Sequence, residues 1–212
     1  MPARTLLLFG ATGAVGAKVL TLALTDARVA RIVAPTRRPL TSAPKLFNPI
    51  VDFADLPTAE WWLVDAGINC LGTTRELAGS AEAFERIDRT FVVDAARRTR
   101  AAGTPCFVNN SSFGAKASAP TLYLRVKGRL EQDLDDLGFA STTHVRPSLL
   151  AHRPEPRPLE RVMVALSTPF AFLLPANARP IAVEAVAHTL LEAALAARPG
   201  RHVIESGQIS RP

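Results

Sequence analysis

Tyr123 stands four residues before Lys127, and on a helix that offset puts both side chains on one face. Tyr123 is the chain's single tyrosine, and lysine is rare beside arginine here. An ammonium close to a phenol favours the phenolate and pulls its pKa down from the reference of roughly 10. A phenol tuned in this way can act as general acid or base for an alcohol–carbonyl couple near neutral pH. Ser111 and Ser112 follow a short apolar run, Cys106-Phe107-Val108-Asn109, where a hydroxyl can hold a substrate carbonyl. Either serine fits that place. Catalytic candidates are therefore Ser112 (or Ser111), Tyr123 and Lys127.

These groups need a frame and an oxidant or reductant, and the N-terminus supplies a sign of both. The apolar run Thr5 to Phe9 leads into Gly10-Ala11-Thr12-Gly13-Ala14-Val15-Gly16. The run reads as a buried parallel strand. Val15, Val19, Leu20 and Leu22 then recur at helical spacing. A glycine turn between strand and helix lets backbone approach a pyrophosphate, with the N–H groups at Ala14, Val15 and Gly16 aimed at the anion. The spacing is G-x-x-G-x-x-G rather than G-x-G-x-x-G, and dinucleotide binding is the expectation.

Strands and helices alternate beyond this point. Strands are predicted at Arg31–Pro35, Pro49–Val51, Gly67–Leu71, Cys106–Asn109, Ser141–Val145 and His202–Glu205, with helices near Ser80–Ala102, Leu122–Leu137 and Ala182–Ala197. Such alternation predicts an α/β fold, a doubly wound parallel sheet with helices on both faces. The ligand should lie beyond the strand C-termini at the switch point. A single domain over 1–212 is expected, with 148–180 as a small substrate-side cap. The apolar run Val162 to Leu174 suggests a pocket lid or a subunit contact, so a homodimer is possible.

NAD-selective folds place a carboxylate about twenty residues after the glycine turn to hold the ribose 2′-hydroxyl. Here the second strand ends in Thr36-Arg37-Arg38-Pro39. A carboxylate would repel a 2′-phosphate, whereas a guanidinium offers it a planar fork of donors. The cofactor is thus expected to be NADP(H). Asp52 and Phe53, after the third strand, are candidate adenine neighbours.

Composition narrows the setting. Of the residues, 48% are hydrophobic and 21% charged, which is globular rather than disordered. The net charge of +6 raises the question of nucleic acid. The arginines are dispersed, though, and the densest group (Arg86, Arg89, Arg97, Arg98, Arg100) reads as the solvated face of one helix, with no recognition module beside it. No nucleic-acid partner, no membrane partner and no metal are expected, and a small-molecule substrate is. The opening residues resemble a signal peptide only superficially, and no stretch approaches the ~18 apolar residues a bilayer span needs. Cys70 and Cys106 read as free thiols in buried strands, which suggests a reducing compartment and a cytoplasmic protein.

Six segments in order resemble the short-chain dehydrogenase/reductases, and within them the small atypical group of Tat-interacting oxidoreductase-like and NmrA-like proteins. They are Phe9 to Gly16, Thr36 to Pro39, Asn69-Cys70-Leu71-Gly72-Thr73-Thr74-Arg75, Asn110-Ser111-Ser112, Tyr123 to Gly128 and Val145-Arg146-Pro147. The resemblance implies that Gly10, Thr12, Gly13 and Gly16 line the pyrophosphate. It implies that Leu71, Gly72 and Thr73 pass the nicotinamide ribose, that Lys127 also holds ribose hydroxyls, and that Arg146 begins the segment past the nicotinamide. A sizeable C-terminal substrate domain is lacking, which argues against nucleotide-sugar substrates. An NADP-dependent oxidoreductase acting on a small carbonyl or alcohol is the leading reading. Its rivals are an NADP-binding redox sensor without turnover and an epimerase or isomerase that retains its cofactor.

Overall fold

Alternate residues of the first strand explain how the sheet comes to be covered on both sides. In β1 (Arg4–Phe9) the stretch Leu6 to Phe9 is wholly buried. Leu6 and Leu8 face one apolar cluster and Leu7 and Phe9 the other, as the two-residue period of a strand requires. The first cluster is closed by α1 (Ala14–Thr25), through Val15, Val19 and Ala23, and by α6 (Val183–Ala196), through Val186, Leu190 and Ala194. The second is closed by α4 (Phe91–Ala101), through Val92, Ala95 and Ala96, and by α5 (Leu122–Asp136), through Leu130 and Leu134.

The structure is a computed structural model that describes residues 2–151 and 179–209. Seven strands form one parallel sheet: β2 (Val29–Val33), β3 (Leu46–Phe47), β4 (Ala66–Asn69), β5 (Cys106–Asn110), β6 (Ser141–Arg146) and β9 (Gly200–Glu205) join β1 in the order β3-β2-β1-β4-β5-β6-β9. The order reverses between β1 and β4, so the crevice beyond their C-terminal ends is where a ligand belongs. This is the doubly wound fold that the alternation predicts. A second, two-stranded parallel sheet pairs β7 (Leu150–Ala151) with β8 (Ile181–Ala182). Most of the expected cap at 148–180, with the run Val162 to Leu174, lies outside the described residues.

Three of the boundary differences from expectation have a local reason. The third strand is Leu46–Phe47 rather than Pro49–Val51, and Ile50 makes only an isolated bridge to Thr36. Pro49 has no N–H to give a ladder, which interrupts the pairing there. The fourth strand stops at Asn69, because the Asn69 side chain accepts the Leu71 N–H at 3.0 Å and turns the chain. Finally, the long helix is two segments, α3 (Ala81–Glu85) and α4, joined by a π turn at Arg86–Thr90. Ahead of it lies the short α2 (Arg75–Ala78), capped by the Thr74 hydroxyl.

Candidate active site

At the end of β1 the glycine turn is held by its own backbone. Gly10 has φ +77°, and a Cβ there would fall 2.4 Å from the Cys70 carbonyl carbon. On Gly16 a Cβ would fall 2.0 Å from the Gly10 oxygen. Both positions therefore require glycine: one for a left-handed turn against β4, the other for close packing of α1 on that turn. Thr12 and Gly13 are exposed, while Ala14 is half-buried and Val15 is buried. Helix α1 starts at Gly13 with no side-chain cap and no acidic residue in its first turn. The leading N–H groups of α1 thus lack a side-chain acceptor, the condition for binding an anion.

Lys127 lies on α5, facing inward. Its Nζ is 3.0 Å from Asp88 Oδ2, with both side chains 5% or less exposed. Asp88 sits in the π turn, and its Oδ1 accepts the Thr73 N–H at 2.6 Å. Desolvation opposes the Lys127 charge, but the neighbouring Asp88 carboxylate, Tyr123 and Cys70 hold its pKa above the ordinary lysine value. A Cβ on exposed Gly72 would lie 3.8 Å from the same ammonium, so the Leu71–Thr73 loop covers the ion pair. Tyr123 is 43% exposed, and its ring centroid is 6.0 Å from Lys127 Nζ and 6.1 Å from the Phe84 ring.

The serine loop is seated beside this pair. Lys116 N donates to Leu124 O at 3.3 Å, and a Cβ on Gly128 would fall 2.2 Å from the Lys116 carbonyl carbon. The chain after β5 therefore crosses α5 next to Lys127. Here the two serines part company. Ser111 is buried, and its hydroxyl donates to Glu131 Oε1 at 2.5 Å. Ser112 is half-buried, and among the described residues its hydroxyl makes only a 3.4 Å contact to the Phe113 carbonyl. Of the two hydroxyls, that of Ser112 is therefore not taken up by a described side chain.

The remaining expected residues divide into exposed and engaged groups. Arg37 and Arg38 are exposed, and among the described residues neither guanidinium has a partner. The turn bearing them is pinned by buried Thr36 and by Asn48, whose Nδ2 donates to Thr36 Oγ1 at 2.8 Å and whose Oδ1 accepts the Leu40 N–H at 2.8 Å. Asp52 is exposed, with one carboxylate oxygen accepting the Ala54 N–H at 2.8 Å. Phe53 turns its ring into the core, 6.5 Å from that of Phe91. Arg146 is likewise engaged: Glu131 takes it at 2.5 and 2.9 Å, and Glu205 at 3.0 Å. Its guanidinium is held by these two carboxylates. The helical arginines are also tied internally, Arg89 to Asp133 and Glu85, Arg97 to Asp94, Arg100 to the Gly138 carbonyl.

Asp88 and Asn48 were not singled out from the sequence. Asp88 carried a signal, since Phe84, Asp88 and Val92 fall four apart and both neighbours are wholly or almost wholly buried. A carboxylate on such a stripe must have a partner. Burial pushes the Cys70 thiol up to about 12, against the opposing pull of Lys127, and both cysteines are free. At pH 8 Cys70 should therefore react with iodoacetamide at least about tenfold more slowly than an unhindered thiol. Peptide mapping after timed alkylation checks this, and rapid labelling of the folded protein would refute it.

No protein-family model matches the chain. Protein fmp52, mitochondrial, of Aspergillus niger is 36% identical over 168 residues, spanning 74% of this chain and 71% of that protein. The chain belongs to this family, an atypical branch of the short-chain dehydrogenase/reductases. Its vertebrate side is represented by Protein HTATIP2 of Rattus norvegicus, 35% identical over 167 residues, 76% of this chain and 69% of that one. The fold of this short-chain dehydrogenase/reductase matches that of MoeE5 in complex with UDP-glucose and NAD, at TM-score 0.72 and 17% identity over 94% of this chain and 74% of that one. It also matches a short chain dehydrogenase from Burkholderia cenocepacia in complex with NADP, at TM-score 0.68 and 16% identity over 96% and 88% of the two chains. The names of the fungal family members include the word mitochondrial, which overturns the cytoplasmic expectation. That expectation rested on two unpaired thiols, which speak against an oxidising compartment but do not choose among reducing ones.

Proposed function

We propose that the protein is an NADP(H)-dependent oxidoreductase acting on a small carbonyl or alcohol. The observation that carries the reading is the buried Lys127–Asp88 pair beneath Gly72, with Tyr123 on the same helix face and Ser112 in the loop seated against that helix. The start of α1, which has no side-chain cap, fits a pyrophosphate, and the exposed Arg37 and Arg38, without a partner among the described residues, fit a 2′-phosphate. Lys127 and the Leu71–Thr73 loop would hold the nicotinamide ribose. When bound, the cofactor supplies or accepts a hydride.

The chain's own groups do the rest. Lys127 stays charged across neutral pH and places a positive potential beside the Tyr123 ring. Tyr123 gives a proton to the substrate oxygen, or takes one from it. Ser112 Oγ donates a hydrogen bond to the same oxygen and orients it.

NADPH should bind much more tightly than NADH, and Arg37→Glu should narrow the gap by about tenfold or more, since a charge-assisted hydrogen bond is replaced by repulsion. Titration calorimetry reads both. Equal affinities for the two cofactors in the unmodified protein would overturn the NADP assignment. A carbonyl-compound screen with NADPH then tests turnover. Tight NADPH binding without turnover on any carbonyl class would favour a sensor over an enzyme.

A further inference from the structure

Three adjacent strands each contribute one polar residue to a single row across the buried sheet. Asn69 of β4 is in register with Asn109 of β5, which is in register with His144 of β6, and all three are 0% exposed. Their side chains are joined end to end. The Leu71 N–H donates to Asn69 Oδ1 at 3.0 Å, Asn69 Nδ2 to Asn109 Oδ1 at 2.8 Å, and Asn109 Nδ2 lies 3.4 Å from His144 Nδ1. His144 Nε2 is 2.9 Å from Asp135 Oδ1, and Arg201 Nε donates to Asp135 Oδ2 at 2.6 Å.

The direction of this row is fixed by its ends. A backbone N–H can only donate, so Asn69 must turn its oxygen to Leu71 and its amide nitrogen to Asn109. The same logic passes on: Asn109 receives on oxygen and donates to His144 Nδ1, which must be a bare lone pair. The ring proton then sits on Nε2 and points at the Asp135 carboxylate. Taken singly, each amide could be flipped and the ring could take either tautomer. Taken together, only one arrangement satisfies every buried group, and a reversed link anywhere would leave two donors facing each other.

The row ends on the Cys70–Leu71 peptide. Gly10 packs on that same peptide from the other side, where a Cβ would be 2.7 Å from the Leu71 nitrogen. We propose that Asn69, Asn109 and His144 are positioning residues, a one-way hydrogen-bond relay that runs from the Leu71 N–H to Asp135 and sets the Cys70–Leu71 peptide against the glycine turn. This peptide opens the loop over Lys127, so the relay aligns two cofactor-side segments without touching either ligand or substrate. Its consequence for cofactor affinity rests on the oxidoreductase reading, whereas its geometry does not.

The test has two parts. In the unmodified protein labelled with 15N-histidine, long-range proton–nitrogen spectra should show the His144 ring proton on Nε2 and a bare Nδ1. The His144→Gln variant identifies the resonance. An Nδ1–H tautomer would overturn the relay. The second part compares Asn109→Leu, which cuts the row, with His144→Gln, which can accept from Asn109 and donate to Asp135. The Leu71 amide should exchange with solvent roughly tenfold faster in Asn109→Leu and within about twofold of normal in His144→Gln. NADPH affinity should follow the same ranking. Equal Leu71 protection in both variants would refute the relay, and if Asn109→Leu does not fold, the tautomer alone decides. An intact relay with no NADPH binding would instead refute the cofactor reading.

Discussion

Replacing Tyr123 by Phe is expected to lower turnover by about 10²- to 10⁴-fold while leaving NADPH affinity nearly unchanged. The phenyl ring keeps the contacts with Phe84 and Lys127 and loses only the hydroxyl that moves the proton. Lys127→Ala should damage both quantities, because the ammonium serves the ribose as well as the phenol. The pH dependence comes from the direction of the Lys127 shift. Its folded pKa is raised, so the charged form persists from acid through the reference lysine pKa of roughly 10.4 and is lost only above it. A limb of the pH–rate profile near neutrality therefore does not belong to Lys127. Single-turnover kinetics and calorimetry on the two variants check the split. Full turnover by Tyr123→Phe on a substrate the unmodified protein reduces would refute the acid/base role.

Removing Asp88 should be the most damaging single change to stability. Asp88→Ala leaves a buried ammonium without its counter-charge, and breaking such a pair costs about 3–5 kcal/mol. It also frees the Thr73 N–H, so the loop over the site loses its tie. The double variant Asp88→Leu, Lys127→Met should recover much of the stability, because a well-packed apolar pair replaces two desolvated charges, yet it should not recover activity. Denaturant unfolding of the single and double variants measures this. A loss below about 1 kcal/mol for Asp88→Ala would show that water or another group already compensates the lysine.

The sequence made the frame legible because buried parallel strands read as short continuous apolar runs, as Leu6 to Phe9 does, and because the glycine turn has one mechanical use. It could not show the π turn. Phe84, Ile87, Phe91 and Ala95 fall at regular helical spacing, yet Ile87 and Phe91 are only partly buried while Asp88 and Val92 are fully enclosed. The extra residue of a π turn rotates the helix before it relative to the helix after it, so a constant helical period misplaces the inward face. The paired serines were ambiguous for a different reason. Neighbouring residues at a strand end point to opposite sides, and only the presence of Glu131, twenty residues away, decides that Ser111 turns inward. The engagement of Arg146 was not legible, because its two carboxylate partners come from α5 and β9, which no local pattern connects to it.

The small β7–β8 pair places positions far apart in the chain on neighbouring strands, Leu150 beside Ile181 and Ala151 beside Ala182. Its footing is reinforced from the main body, since Ser206 Oγ donates to Ser148 Oγ at 2.9 Å and the Ser148 hydroxyl reaches the Arg179 carbonyl. Chain departs and returns through one stitched doorway, about 4.8 Å wide in the pairing direction. Doubling the length of the segment that passes through such a doorway costs only about 0.6 kcal/mol in closure entropy. The sheet is thus insulated from the length of chain between the two strands, so Tyr123, Lys127 and the glycine turn keep their places whatever that length is.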